Sequence, residues 1–295
     1  KKIRVMVKMG ILSLFKNKKE NCNELMKSRK YEEVIRCCDE ILKKEPENSI
    51  AWYNKGWALT KLEKFEEALQ CYEKALGLNP EYEDAWVNKG RVLEELGRFN
   101  ESLNCYNTAL NLDSKDEYLW INRGRVLEEL GRFNEAIECY NKVLELNSSL
   151  EMAFYYKGDV FSSLERYYGA LDCYNKVLEL NPEAYYAWTR KADTLIKLEM
   201  YDEAMKCYKE SLKLNPNFEY TFYGMANLFK KLGKFEEAFV CYNKTLEIDS
   251  EDENAWYEKG IVLEKLERYS EALECYDKVL ELNSEFEDAI KAKKT

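Results

Sequence analysis

The chain has 295 residues, a formal net charge of −10 and no histidine. That charge argues against a general affinity for nucleic acid or anionic membrane. The missing His removes the commonest general base, the usual activator of a Ser or Cys nucleophile and the commonest zinc ligand. With 4 Pro, 12 Gly and no run approaching ~18 apolar residues, neither long linkers nor a membrane span is expected.

Residues 1–14 come first and read as a basic leader. "KKIRVMVKMGILSL" is partly apolar, but Arg4 and Lys8 interrupt it and no small-residue cleavage site follows, so a secretory signal is not expected. With no initiator Met, the sequence reads as starting inside a longer reading frame.

From residue 15 the chain repeats itself every 34 residues, the kind of period that defines a repeat architecture. In this frame Trp52, Trp86, Trp120, Phe154, Trp188, Phe222 and Trp256 share position 4. Position 8 holds Gly56, Gly90, Gly124, Gly158, Ala192, Ala226 and Gly260. Position 17 is aromatic from Phe65 to Tyr269, position 20 is small from Ala68 to Ala272, and position 28 is Leu from Leu76 to Leu280. Position 24 is always the Tyr of a Cys-Tyr pair, and all four prolines, Pro46, Pro80, Pro182 and Pro216, occupy position 32. The frame extends backwards through Tyr31, Val34, Cys38 and Leu42, although Lys18 and Cys22 at positions 4 and 8 set this first repeat apart. Eight repeats result: 15–48, 49–82, 83–116, 117–150, 151–184, 185–218, 219–252 and 253–286. Residues 287–295 form part of a ninth.

The apolar spacing predicts two helices per repeat. The first covers about positions 2–14, and the second runs from about 17 to 30 with a wide apolar stripe. Between them, Gly97, Gly131 and Gly233 mark a turn where a helix must stop. A small residue at position 8, facing small residues at 20 and 27, allows close helix approach, and the ring at 4 and Leu at 28 fill the remaining space.

The stretch "AWYNKGWALTKLEKFEEALQCYEKALGLNP" is similar from end to end to the consensus of the tetratricopeptide repeat family, and the resemblance extends over 15–286. It implies an all-α fold: antiparallel helix pairs stacked into a right-handed superhelical solenoid with a concave groove.

Cys71, Cys105, Cys139, Cys173, Cys207, Cys241 and Cys275 recur once per repeat. Neighbouring helix axes lie ~8–10 Å apart. A disulfide needs Cα atoms within ~7 Å, and a zinc site needs sulfurs ~2.3 Å from one metal. One Cys per repeat meets neither condition, so these are read as small hydrophobes in a helix seam. Seven unpaired thiols point to a reducing, cytoplasmic setting. Cys22, Cys37 and Cys38 stand apart, because positions 8 and 24 face each other and could bring Cys22 near Cys38.

The resemblance places the groove along the first helices, at about positions 2, 5, 9, 12 and 13. Candidate peptide-binding residues there are Tyr53, Trp57, Arg91, Tyr118, Arg125, Tyr155, Asp159, Tyr186, Asp193, Tyr220, Tyr223 and Tyr257, with Asn54, Asn88 and Asn122 at position 6. Aromatic and Arg side chains are common anchors at interfaces. The face is zoned. Asn side chains and arginines occupy its early part, suited to a peptide backbone and to carboxylates, and Asp159 and Asp193 lie among tyrosines later. An extended peptide with its acidic part over Arg91 and Arg125 fits this pattern. Chaperone-binding members of the family grip a terminal carboxylate with a five-residue clamp. Lys19, Asn23 and Asn54 match three of those places, but Asp84 and Asn88 stand where cations are needed.

The recurring cations Lys55, Lys89, Arg123, Lys157, Lys191 and Lys259 are offset by abundant Glu and read as a solvated face with snorkelling stems. No catalysis, cofactor, metal, nucleic acid or membrane is expected. The function expected is a protein-interaction scaffold holding an extended peptide or protein segment. The alternative is a self-associating assembly protein that uses exposed ends near Leu273, Leu280 and Leu282.

Overall fold

The structure, a computed structural model, describes residues 24–293. Every regular element among them is a helix, and the chain divides into two compact units between Ser148 and Ser149. The first unit holds a helical turn at 24–27, α1 (Tyr31–Leu42), α2 (Ser49–Lys61), α3 (Phe65–Leu78), α4 (Glu83–Glu95), α5 (Phe99–Leu112), α6 (Glu117–Glu129) and α7 (Phe133–Leu146). The second holds α8 (Glu151–Ser163), α9 (Tyr167–Leu180), α10 (Tyr185–Lys197), α11 (Tyr201–Leu214), α12 (Glu219–Lys231), α13 (Phe235–Ile248), α14 (Glu253–Lys265), α15 (Tyr269–Leu282) and α16 (Glu287–Ala292). Within each unit every helix packs on the one that follows, the arrangement of an all-α repeat solenoid. Lys18, Lys19, Cys22 and Asn23 lie outside the described residues.

From α3 onward the second helices fill positions 17–30 as expected, α1 stopping at position 28, but the first helices start and stop one residue early, at positions 1 and 13. Three of these starts are capped by a side chain at position 34 of the preceding repeat. There Asn48 accepts from the Ala51 amide, Asp116 from those of Tyr118 and Leu119, and Asp252 from that of Ala255. Such caps satisfy backbone donors that the helix cannot. The stop is a left-handed residue at position 15, which is Gly97, Gly131 and Gly233 in three turns. The other turns put Arg29, Glu63, Glu165, Glu199 and Glu267 there, with φ of 56, 59, 58, 60 and 59°.

The core repeats one contact. The position-24 tyrosines, Tyr72, Tyr106, Tyr140, Tyr174, Tyr208, Tyr242 and Tyr276, are fully buried. Five of them lie against the glycine at position 8 of their own repeat: a Cβ on Gly124 would sit 2.6 Å from the Tyr140 ring, and one on Gly56 2.9 Å from that of Tyr72. Where position 8 is Ala192, room is found on the other side, because Gly224 of α12 faces the Tyr208 hydroxyl. The seven Cys side chains beside these tyrosines are free and buried. Burial pushes the thiols of Cys71, Cys105, Cys173, Cys241 and Cys275 up to about 11, which leaves them protonated and inert at neutral pH. Cys38 is likewise free and buried, whereas its neighbour Cys37 is disulfide-bonded.

The indoles at position 4 tie each first helix to the loop before it. Trp52, Trp86, Trp120, Trp188 and Trp256 donate Nε1–H to the carbonyls of Pro46, Pro80, Ser114, Pro182 and Ser250, at 2.8 to 3.3 Å. The acceptor is backbone, so Pro and Ser serve equally at position 32. The position-7 cations turn out to be partnered rather than simply solvated. Lys55 pairs with Asp39 at 2.6 Å and Lys89 with Glu73 at 3.1 Å, each from the preceding second helix, and Arg123 Nε donates to Asn107 at 2.7 Å. Lys55, Lys89, Arg123, Lys191 and Lys259 also lie over the position-4 indoles.

The Gly–Tyr contact predicts opposite effects for two Gly→Ala changes. Gly124→Ala should lower the unfolding free energy by about 1–3 kcal/mol, through overpacking against Tyr140. Gly77→Ala, on a helix with nothing within 4 Å of its Cβ position, should raise it by about 0.5–1 kcal/mol. Denaturant melts of the two variants test the pair, and equal shifts would contradict the contact.

Candidate functional site

Six of the seven buried phenols bond to the first helix of their own repeat, at one of two places, whereas the Tyr276 hydroxyl is enclosed without such a bond. In the first unit the partner comes from position 12. Tyr106 and Tyr140 donate to Glu94 and Glu128, and the Tyr72 hydroxyl lies 3.1 Å from that of Thr60. In α8, α10 and α12, position 12 is Ser162, Ile196 and Lys230, and the acceptor moves one turn back to position 9. Tyr174 donates to Asp159 at 2.6 Å, Tyr208 to Asp193 at 2.5 Å and Tyr242 to Asn227 at 2.6 Å. Asp159 and Asp193, expected to face a ligand, are thus engaged inside the protein.

In the first unit, the Tyr53 ring packs against those of Tyr72 and Tyr82, and Asn88 donates to its hydroxyl at 3.1 Å. Burial pushes that hydroxyl up to about 12. Asn54 is half-buried. Asn122 is half-buried too, and its Nδ2 is enclosed without an acceptor; its counterpart to Tyr53 in the preceding repeat is Val87, which has none to offer. Trp57 is half-buried too and lies edge-on to Tyr31, 5.7 Å between centroids, beside Val34 and Cys38. Arg91, Arg125 and Tyr118 are exposed. Burial raises the Glu94 carboxyl, and its bond from Tyr106 and the charges of Arg125 and Arg91 oppose that rise.

In the second unit a half-exposed arginine absent from the sequence-based candidates, Arg190, organises the face. Its Nε donates to the Tyr155 hydroxyl at 3.2 Å and lies 3.5 Å from Asp159, and its Nη1 lies 3.9 Å from Asp193. Burial works against the guanidinium charge, but Asp159, the Tyr155 hydroxyl and Asp193 together outweigh it and hold the proton firmly. Burial pushes the Asp193 carboxyl up to about 6, with the Tyr208 bond and Arg190 opposing. Its side chain keeps 39% exposure, so solvent screens part of this effect. Tyr186 donates to Glu151 at 2.7 Å. The hydroxyls of Thr189, Ser211 and Thr221 close a buried triangle at 2.6 to 2.9 Å, so none is left unsatisfied.

Two hollows open on this face. One of about 240 Å³ is lined by Tyr155, Tyr186, Thr189, Arg190, Phe218 and Tyr220. The other, about 390 Å³, is lined by Glu219, Tyr220, Tyr223, Asp249, Glu251, Asp252, Glu253 and Asn254. Tyr220 is 63% exposed and lines both. Tyr223 packs on Tyr242, and Tyr257 on Tyr276 and Phe286. Arg190 and Phe218 were missed because position 6 was read from its asparagines and position 34 as loop. The tyrosine run around Tyr185 was the available signal.

The helix pairs and the 34-residue spacing define a helical-repeat protein. The tetratricopeptide repeat model matches 49–82, 118–150, 152–183, 185–218 and 253–292, more than half of the chain, and a further TPR repeat model matches 90–131 and 226–267. The chain belongs to the tetratricopeptide repeat family. A protein prenyltransferase alpha subunit repeat model also matches 31–62. Among solved structures, a tetratricopeptide repeat protein from Parabacteroides merdae ATCC 43184 aligns at 21% identity and TM-score 0.72, over 83% of this chain and 97% of that one. The MamA protein aligns at 20% identity and TM-score 0.53, over 58% and 94%. The APC/C hetero-tetramer Cut9-Hcn1 aligns at 18% identity and TM-score 0.63, over 82% of this chain and 48% of that one. These likenesses establish the fold.

Asn227 already performs for Tyr242 the task that Asp193 performs for Tyr208, so Asp193→Asn should keep the bond. In the wild type, the raised Asp193 pKa means that the folded state holds its proton more tightly than the unfolded chain. This group therefore adds stability as pH falls from about 7 towards the ordinary carboxylate range near 4. Melts across that range should show a smaller gain on acidification in Asp193→Asn than in the wild type. Identical slopes would show that the carboxyl is not raised.

Proposed function

We propose that the chain is a protein-interaction scaffold that holds an extended protein segment along the face of its first helices, without catalysis. The carrying observation is exposure: Tyr118 is 61% and Tyr220 63% exposed, although large rings gain most when buried. Arg91 and Arg125, at position 9 of first helices in the same unit as Tyr118, are exposed too, and Arg is suited to carboxylates of a bound segment. The family is generally one of scaffolds, and no helix among the described residues is long and apolar enough to cross a membrane. A cytoplasmic setting accords with the free, buried thiols from Cys38 to Cys275, and the bonded Cys37 stands against it. A second reading, self-association, draws on Leu273, which is 44% exposed on α15 even though α16 packs there. A strictly monomeric mass at every concentration would exclude it.

A photo-crosslinking residue placed at Tyr118 or at Tyr220 should capture a protein from native lysate. The same residue at Tyr168 on α9, which is 72% exposed but on the second-helix surface, should not. Replacing Arg91 and Arg125 with Ala should weaken binding of the partner captured at position 118 by more than ~1 kcal/mol. Equal yields at all three positions would sink the assignment to the first-helix face.

A further inference from the structure

Resting on that reading, we infer that the second unit selects a basic segment of its partner, one that carries an apolar or aromatic side chain next to Lys or Arg. The aromatic hollow is about 240 Å³, smaller than the ~300–1,000 Å³ typical of small-molecule sites. It suits one side chain rather than a cofactor. Its walls are the rings of Tyr155, Tyr186, Phe218 and Tyr220. Tyr155 and Tyr186 stand edge-on at 5.1 Å, and Phe218 and Tyr220 at 5.3 Å.

Charge decides the rest of the occupant. Two cations of these first helices are already committed: Arg190 lies between Asp159 and Asp193, and Lys230 pairs with Glu258. An incoming carboxylate would compete with two fixed carboxylates for Arg190. The adjoining hollow has five carboxylates in its lining, on Glu219, Asp249, Glu251, Asp252 and Glu253, and no cation. A Lys or Arg entering it meets carboxylates that no side-chain cation in that lining neutralises, and the Tyr220 ring serves as a cation–π wall. Because Tyr220 is common to both hollows, an apolar side chain in the first places its charged neighbour at the mouth of the second.

The test is fluorescence anisotropy with short fluorescein-labelled peptides. One alternates Phe and Lys, one replaces Lys with Glu, and one replaces Phe with Ala. The Phe–Lys peptide should bind, and binding should weaken as salt rises. The Glu peptide should not bind, and the Ala peptide should bind more weakly than the Phe–Lys peptide. Glu219→Gln with Glu251→Gln, which leaves the helix cap at Asp252 intact, should weaken the Phe–Lys peptide roughly five- to tenfold. Tyr220→Ala should do so by roughly tenfold. Circular dichroism should show both variants folded as the wild type. Binding of the Glu peptide with equal or greater affinity, or an unchanged affinity in the Gln variant, would overturn the charge assignment. Equal binding of the Ala peptide would overturn the aromatic hollow. If no peptide binds while Tyr220 crosslinks persist, this inference fails and the first-helix reading stands. If the crosslinks are absent too, both fail.

Discussion

A phenol buried against a glycine must still satisfy its hydroxyl, and much of the inner surface follows from that requirement. Seven tyrosines are buried at one position of the repeat. Leaving a hydroxyl unpaired in such a place costs about 1–3 kcal/mol. Only the first helix of the same repeat, held close by the small residue at position 8, lies within reach in the pairs observed. In the six bonded pairs the partner sits at position 12 or at position 9, about one turn apart, and Tyr276, enclosed without a bond, is the exception.

The choice between the two divides the repeats. Where Thr60, Glu94 and Glu128 supply the acceptor at 12, position 9 is released and holds Trp57, Arg91 and Arg125. Where position 12 is Ser162, Ile196 or Lys230, position 9 is taken by Asp159, Asp193 and Asn227. Two carboxylates drawn into neighbouring first helices then need a cation, and Arg190 at position 6 of the second of them answers both. The contrast between a face with exposed arginines at position 9 and a face whose arginine is held between two carboxylates is thus a consequence of core satisfaction, and the ligand preference proposed above rests on it.

Much of the fold was legible because it is periodic. Helix spans, the Tyr–Gly contact, the inert thiols and the left-handed turn at position 15 all come from residues that recur in register, so each repeat confirms the others. The inner face was legible only in part. Tyr220 and Tyr118 stand exposed where position 2 placed them. Trp57 was grouped with them by position, yet it packs on Tyr31 because the first repeat offers it a ring. Asp159 and Asp193 looked like ligand contacts because the direction of a tyrosine hydroxyl is not written in a one-dimensional pattern. The exchange between positions 9 and 12 was present in the sequence, but it gains meaning only once the ring tip is seen between them.

This dependence constrains how such a surface can change. Arg91 and Arg125 are free to vary only while Glu94 and Glu128 hold the tyrosines. Replacing either Glu with an apolar residue would strand a buried hydroxyl unless position 9 became Asp or Asn at the same time. A single substitution that reverses the charge of the face at Asp193 meets the converse obstacle, since it removes the acceptor of Tyr208 and one of the two carboxylates that balance Arg190. The surface sign of each repeat is therefore coupled to its core, and it changes by paired exchange between two positions one helical turn apart.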